Sequence, residues 1–212
     1  MKLYLGIDPG KTGAIAGLFE DEMVVRDMPI AGDEIDIPEL AKHLKGFTTI
    51  YEVKACIEHA QVMPSQGSVS GYTIGKNFGI ILGILGTLNI PFITVNPKKW
   101  QKEFAIIGKM KITKEMKKQM VQEEIDRQSD IDHLLKVVYA EKIVAKKIAK
   151  MRADIKSDIK EQGFVIAHRL FPDLELKIPD RICKNGKVIK GALKDGRVDA
   201  VLIAEYLKRV RE

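Results

Sequence analysis

The chain has 212 residues, 45% of them hydrophobic and 30% charged, with a formal net charge of +6 and a pI near 9.1. That length suits one ordinary domain with a large insertion and excludes two full enzyme lobes; the composition excludes disorder, and no run approaches the roughly 18 apolar residues of a membrane span. The positive balance favours an anionic partner, while Cys56 and Cys183, isolated thiols without metal-ligand spacing, exclude a zinc site and point to a reducing compartment.

The first strand is expected to start at residue 2 or 3, which leaves no room for a signal peptide and predicts a cytoplasmic location. Leu3, Leu5 and Ile7 alternate as in a strand with one face on a core, and the strand ends on a carboxylate, Asp8. Pro9-Gly10 stops it, and the run from Gly13 to Phe19 restarts it, which predicts a hairpin. Glu22 to Met28 adds a third strand and makes a meander. A helix is expected around Pro38–Lys45, with Asp36 near its cap and Gly46 just past its end. The stretch 54–62 reads as a fourth strand carrying Glu58 between apolar neighbours. In the next helix Gly71, Gly75, Gly79, Gly83 and Gly86 fall on one face. Each interior glycine costs about 1 kcal/mol against alanine, so the stripe implies close approach of the sheet, of another helix or of a phosphate backbone. Phe92–Val95 is a fifth strand, ended by Asn96-Pro97.

Residues 101–160 change character, carrying 15 Lys and Arg against 10 Asp and Glu. Ile112, Met116 and Met120, then Val144, Ile148, Met151, Ile155 and Ile159, recur at helical spacing. Two amphipathic helices, the second long, are expected as a helical insertion over about 108–160. It offers either a solvated charged face behind a packing stripe or an arm for DNA or a second subunit. The chain is expected to rejoin the main fold at 167–173 and to close with a helix over about 195–210. This order predicts a single α/β domain over 1–212, a mixed sheet flanked by helices.

Four carboxylates stand out. Asp195 and Asp199 are spaced i, i+4 and share a helical face, where two like charges repel unless a cation lies before them. Each acid has a plainer reading. Asp195 could be a helix cap, with Asp199 favoured by the helix dipole; Glu58 could face solvent from a sheet edge, and Asp8 could open an Asx turn. Together they form an oxygen-only set suited to Mg²⁺ or Mn²⁺, and two divalent ions would neutralise four carboxylates. The histidines lack the spacing for a metal or a nucleophilic triad, and Trp100 reads as a core anchor.

The stretches "GIDPGKTGAIA", "IEHAQVMPSQGSVSGYTIGKNFGIILGIL", "VNPKKWQK" and "KDGRVDAVLIAEYL" resemble, in order, the motif blocks of RuvC-type Holliday junction resolvases. The resemblance covers 3–104 and 163–209 and is nearest the phage-like branch of the ribonuclease H-like superfamily. It implies a ribonuclease H-like mixed sheet, an antiparallel meander plus parallel strands. It further implies that Asp8, Glu58, Asp195 and Asp199 are catalytic and bind two divalent cations, Mg²⁺ with Mn²⁺ substituting. Asp8 is expected to bridge the ions, Glu58 and Asp199 to hold the two sides, and Asp195 to be the adjustable ligand. The family acts as a homodimer that nicks two strands of a four-way DNA junction symmetrically, hydrolysing phosphodiesters without a covalent enzyme intermediate.

Lys194-Asp195 stands where the family often has His-Asp, so no role for that histidine carries over. DNA contacts are expected at Lys11 beside Asp8, and at Lys98, Lys99 and Arg197 as phosphate ligands. The resemblance adds the 63–76 stretch, with Gln66 and Lys76. Three rivals share parts of the pattern. The "DPGKTG" turn resembles that of actin/sugar-kinase-like ATP-binding domains, which need a second lobe. A YqgF-like nuclease acting on RNA shares the first motif, and a non-catalytic junction binder would need acids that fail to converge.

Overall fold

The computed structural model describes residues 1–59, 62, 67–108, 112–127, 133–179, 181–182, 188–189 and 191–211. Strand β1 (Lys2–Ile7), β2 (Ala14–Phe19) and β3 (Glu22–Asp27) form the expected antiparallel meander. Strands β4 (Ile30–Ala31) and β5 (Glu34–Ile35) make a short separate hairpin that apolar periodicity did not reveal. It turns at Gly32, whose φ of +62° suits glycine. Strand β6 (Glu52–Glu58) pairs parallel with β1, and β7 (Phe92–Val95) pairs parallel with β6. The five-stranded order β3-β2-β1-β6-β7 is the mixed sheet that the ribonuclease H-like resemblance implies.

Helix α1 (Ile37–Thr48) starts where Asp36 accepts a hydrogen bond from the Glu39 N–H at 3.0 Å, a side-chain cap on an orphan donor. Gly46 lies inside its last turn rather than past its end. Helix α2 (Ser68–Thr87) buries Asn77, Ile81, Ile84 and Leu85. Its inner side joins Leu40 and Leu44 of α1 and Leu3, Leu5, Ile7, Val53, Ala55 and Ile57 of the sheet in one apolar core.

The glycine stripe of α2 is a correction. Gly75, Gly79, Gly83 and Gly86 are exposed, and a Cβ on any of them would meet nothing within 4 Å. The sheet is covered by the neighbouring aliphatic stripe, which has far more apolar area to bury. The glycines therefore form an open, low ridge on the outer side of α2.

The other face of the sheet is covered by α6 (Asp195–Arg211), whose Val198, Ala200, Val201, Leu202, Ile203 and Ala204 are all buried. It sits unusually close. A Cβ at Gly6 would lie 2.1 Å from the Ala200 carbonyl oxygen and 2.3 Å from the Ala204 nitrogen. Gly6→Ala is therefore expected to destabilise by about 3 kcal/mol, because both neighbours are backbone and cannot rotate away. Chemical denaturation measures this, and a wild-type midpoint would disprove the close docking.

Helix α3 (Pro97–Glu103) follows β7, with Asn96 capping the Lys98 N–H at 3.0 Å. The chain divides into two compact units, Met1–Ala105 with Gly163–Glu212, and Ile106–Gln162. In the second unit α4 (Lys114–Asp126) is capped by Thr113, and Lys147 of α5 (His133–Leu170) pairs with Glu124 at 2.7 Å. Val144 and Ile148 are buried, as their spacing predicts. The Gln162 amide holds both the N–H and the carbonyl of Ile107, at 3.1 and 3.2 Å. The first unit resumes at Gly163, close to the return expected at 167–173, and α5 runs on to Leu170 within it. A second short hairpin, β8 (Arg181–Ile182) with β9 (Val188–Ile189), was also not anticipated. Among the described residues no helix is long and apolar enough to cross a membrane.

Candidate active site

Strand register sets the centre of the site. Ile7 of β1 stands opposite Ile57 of the parallel β6, so Asp8 and Glu58 come next on adjacent strands at the same level. They lie at the end of the ladder, where Asp8 feels the charge of Asp195 on α6 and both acids share a cleft with α2. Both line a cleft of about 250 Å³ with Pro9, Gly10, Lys11, Thr73, Ile74 and Asn77. This is the carboxyl end of the parallel strands, where open α/β sheets usually bind ligands.

The turn after β1 is built by close approach. The Asp8 N–H donates to the Ala14 carbonyl at 3.0 Å, and Asp8 Oδ1 accepts from the Gly10 N–H at 3.3 Å. Asp8 thus opens an Asx turn as well as facing the cleft. A Cβ at Gly13 would fall 2.2 Å from the Asp8 carbonyl oxygen. Another at Gly196 would fall 2.2 Å from the Thr12 carbonyl oxygen and 2.6 Å from Gly13 Cα. These two glycines let the first turn of α6 rest directly on the β1–β2 turn. The Lys194 carbonyl accepts from the Val198 N–H at 3.1 Å, so Lys194 is the cap and Asp195 the first helical residue. Asp195 lines a second cleft of about 520 Å³ with Lys11, Thr12, Gly13 and Asp27. Asp199 is half-buried one turn along the same helix.

The electrostatics couple three of the four acids. Burial, and then the charge of Asp195, push the Asp8 carboxyl above its usual range, against the Gly10 hydrogen bond. Burial first, and then Asp8, push Glu58 up to about 7, although a hydrogen bond from Trp100 opposes this. Two adjoining carboxylates pushed toward protonation, with no thiol or imidazole among the described residues that line their cleft, fit a hard divalent cation. Among the described residues no three His, Cys, Asp or Glu side chains converge as a ready-made cation cage. Cys56 is no rival nucleophile, because burial pushes its thiol up to about 12.

The expected DNA contacts scatter around this centre. Lys11 lines both clefts and pairs with the exposed Asp33 at 3.0 Å. Lys76 pairs with Glu34 and lies 5.9 Å from the centroid of the Tyr72 ring. Lys98 and Lys99 are exposed on α3, and Lys99 lines a separate cleft with Tyr206 and Arg211. Arg197 is engaged by acids: its guanidinium bonds both carboxylate oxygens of Asp27, NH2 at 2.8 Å, and the Glu175 carbonyl at 3.1 Å. That grip ties α6 to the end of β3 and holds the Asp27 carboxyl below its usual range. Gln66 lies outside the described residues.

Two side chains of the site were missed by sequence reasoning. Trp100 is the expected core anchor, 1% exposed, but its indole N–H also donates to Glu58 Oε2 at 2.8 Å. The available signal was that a buried indole N–H needs an acceptor. Trp100→Phe keeps the packing and removes the donor. It is expected to push the Glu58 carboxyl further up, read as an upward shift of its titration by NMR. An unchanged titration would reduce the hydrogen bond to packing. The second is Asn77, 4% exposed, whose carboxamide oxygen has no hydrogen-bond partner among the described residues. A buried acceptor left unpaired costs about 1–3 kcal/mol.

No protein-family model matches this sequence, and no curated protein matches it. Among solved structures it is similar to RuvC of Thermus thermophilus. One such structure, RuvC in complex with a Holliday junction substrate, is 13% identical, with 71% of this chain and 96% of that chain covered at a TM-score of 0.38. Another, of T. thermophilus RuvC, is 9% identical, with 98% and 96% covered at a TM-score of 0.43. The fold assignment rests on the strand order and pairing themselves.

Proposed function

We propose that this chain is a divalent-metal-dependent endodeoxyribonuclease of the RuvC kind. It resolves four-way DNA junctions by nicking two strands symmetrically, and it works as a homodimer. The observation that carries the reading is the pair Asp8 and Glu58 on adjacent parallel strand ends, both pushed toward protonation, with Asp195 of α6 acting on Asp8. In this reading Asp8, Glu58, Asp195 and Asp199 hold two cations, Mg²⁺ or in its place Mn²⁺. When bound, the cations neutralise charge on the phosphodiester and promote in-line attack by water.

The chain's own groups supply orientation. The Gly10 N–H fixes Asp8 Oδ1, and the Trp100 N–H fixes Glu58 Oε2, so each carboxylate keeps its second oxygen for the ion. Asp195 and Asp199 approach from the helix that Gly196 and Gly6 let close on the sheet. Lys11 leaves an exposed pair with Asp33 at little cost and turns to a phosphate beside the scissile bond. Lys76, Lys98 and Lys99 supply further phosphate contacts, whereas Arg197 acts as the tie that fixes α6 to β3. The open glycine ridge on α2 suits close approach of a second helix and supports the dimer.

An end-labelled four-way junction, incubated with Mg²⁺, Mn²⁺ or EDTA beside linear duplex, tests the reading. Paired symmetric nicks that need the cation and spare the duplex are expected. Intact junctions under all conditions would overturn it, and preferential cleavage of RNA would move the assignment to the YqgF-like alternative.

A further inference from the structure

Asn77 is the one fully buried polar side chain among the described residues, and it lines the cleft of Asp8 and Glu58. Its position on α2 belongs to the inward stripe with Ile81, Ile84 and Leu85, where an aliphatic side chain would serve packing better. Its carboxamide oxygen accepts no hydrogen bond from any described group in an orientation that solvent does not reach, and a half-turn of the amide exchanges it with the nitrogen. Lys11 Nζ, the cation on the same cleft, is 3.0 Å from Asp33 instead. A backbone scaffold that holds an unpaired acceptor beside two carboxylates is arranged for a donor that arrives with a ligand.

We infer that Asn77 belongs to the cation site: when Asp8 and Glu58 hold a hydrated divalent ion, the carboxamide turns and its oxygen takes a hydrogen bond from a water of that ion. The inference rests on the metal-dependent reading above and adds a residue to it. The chemistry favours a carboxamide at this point. Hard divalent ions take oxygen donors and Mg²⁺ keeps several of its waters, which need acceptors. A neutral oxygen adds an acceptor to a site with four acids without adding to their mutual repulsion. An anionic phosphate is a poorer match for that oxygen, because both groups are acceptors.

Mn²⁺ titration of the full chain, read by the electron paramagnetic resonance of free Mn²⁺, tests this without an activity assay. Asn77→Leu, similar in size but without the oxygen, is expected to bind Mn²⁺ at least about tenfold more weakly, with an unchanged or higher metal-free melting temperature. Asn77→Asp, which restores an oxygen, is expected to recover the binding. If Asn77→Leu does not fold, Asn77→Ala repeats the comparison. Wild-type Mn²⁺ affinity in the oxygen-free variant would overturn the role of Asn77 while leaving the metal centre standing. Wild-type affinity in Asp8→Asn would instead overturn the metal centre itself, and the inference with it.

Discussion

Asp8→Asn is expected to reduce metal-dependent junction cleavage by on the order of 100- to 1000-fold, the loss of several kcal/mol of charge stabilisation, while junction binding survives. The substitution is conservative in shape. Asparagine keeps an Oδ1 to accept from the Gly10 N–H, so the turn between β1 and β2 is retained. It removes the charge that burial and Asp195 already disfavour. The metal-free variant should therefore melt at the wild-type temperature or above it, which separates loss of chemistry from loss of fold. Cleavage assays and gel-shift titrations on the same junction, with thermal melts in EDTA, make the measurement. Wild-type cleavage by the variant would remove Asp8 from the centre of the site. Loss of binding by a folded variant would mean that the carboxylate acts in DNA recognition rather than catalysis.

The second large effect is a reversal of pH dependence by the cation. Glu58 has an ordinary value of 4.5 in the unfolded chain and about 7 in the fold, so the folded state binds the extra proton. Its contribution to metal-free stability is fully present below about pH 4.5 and is lost as pH rises through about 7. For this half-buried group the loss is about 2–3 kcal/mol, or roughly 5–10 °C in melting temperature. A divalent cation needs the ionised carboxylate, so its stabilising effect must grow over the same interval. Melts from pH 5 to pH 8 should thus fall in EDTA relative to Glu58→Gln, and the gap between EDTA and Mn²⁺ should widen upward. Parallel curves for wild type and Glu58→Gln in EDTA would show that Glu58 does not titrate in this window. A constant gap between EDTA and Mn²⁺ would show that the cation does not bind there.

Much of the site could be read from the chain because its parts are local. Two-residue alternation before Asp8 and around Glu58 marks strands, and both acids lie at strand ends because Pro9 and the turn residues stop the ladder. The i, i+4 spacing of Asp195 and Asp199 needs only a helix to put them on one face. Gly46 and the two short hairpins show the limit of such reading, since helix ends and two-residue strands carry little periodic signal.

What escaped the sequence depends on long-range partners. The bond from Trp100 to Glu58 joins residues 42 apart, and that from Arg197 to Asp27 joins residues 170 apart. No local pattern distinguishes a phosphate-binding arginine from one that ties a helix to a strand. The glycines of α2 were visible as a stripe, but which stripe faced the sheet was settled by competition for burial, and the aliphatic one won. Asn77 looked like any polar residue in a helix until that rotation placed it inside. The sequence by itself determined the strands, the final helix and the acids they carry, because short-range periodicity and turn chemistry fix those. Only the tertiary structure decided which acids adjoin and which donors hold them, because register and helix rotation are set by the whole core at once.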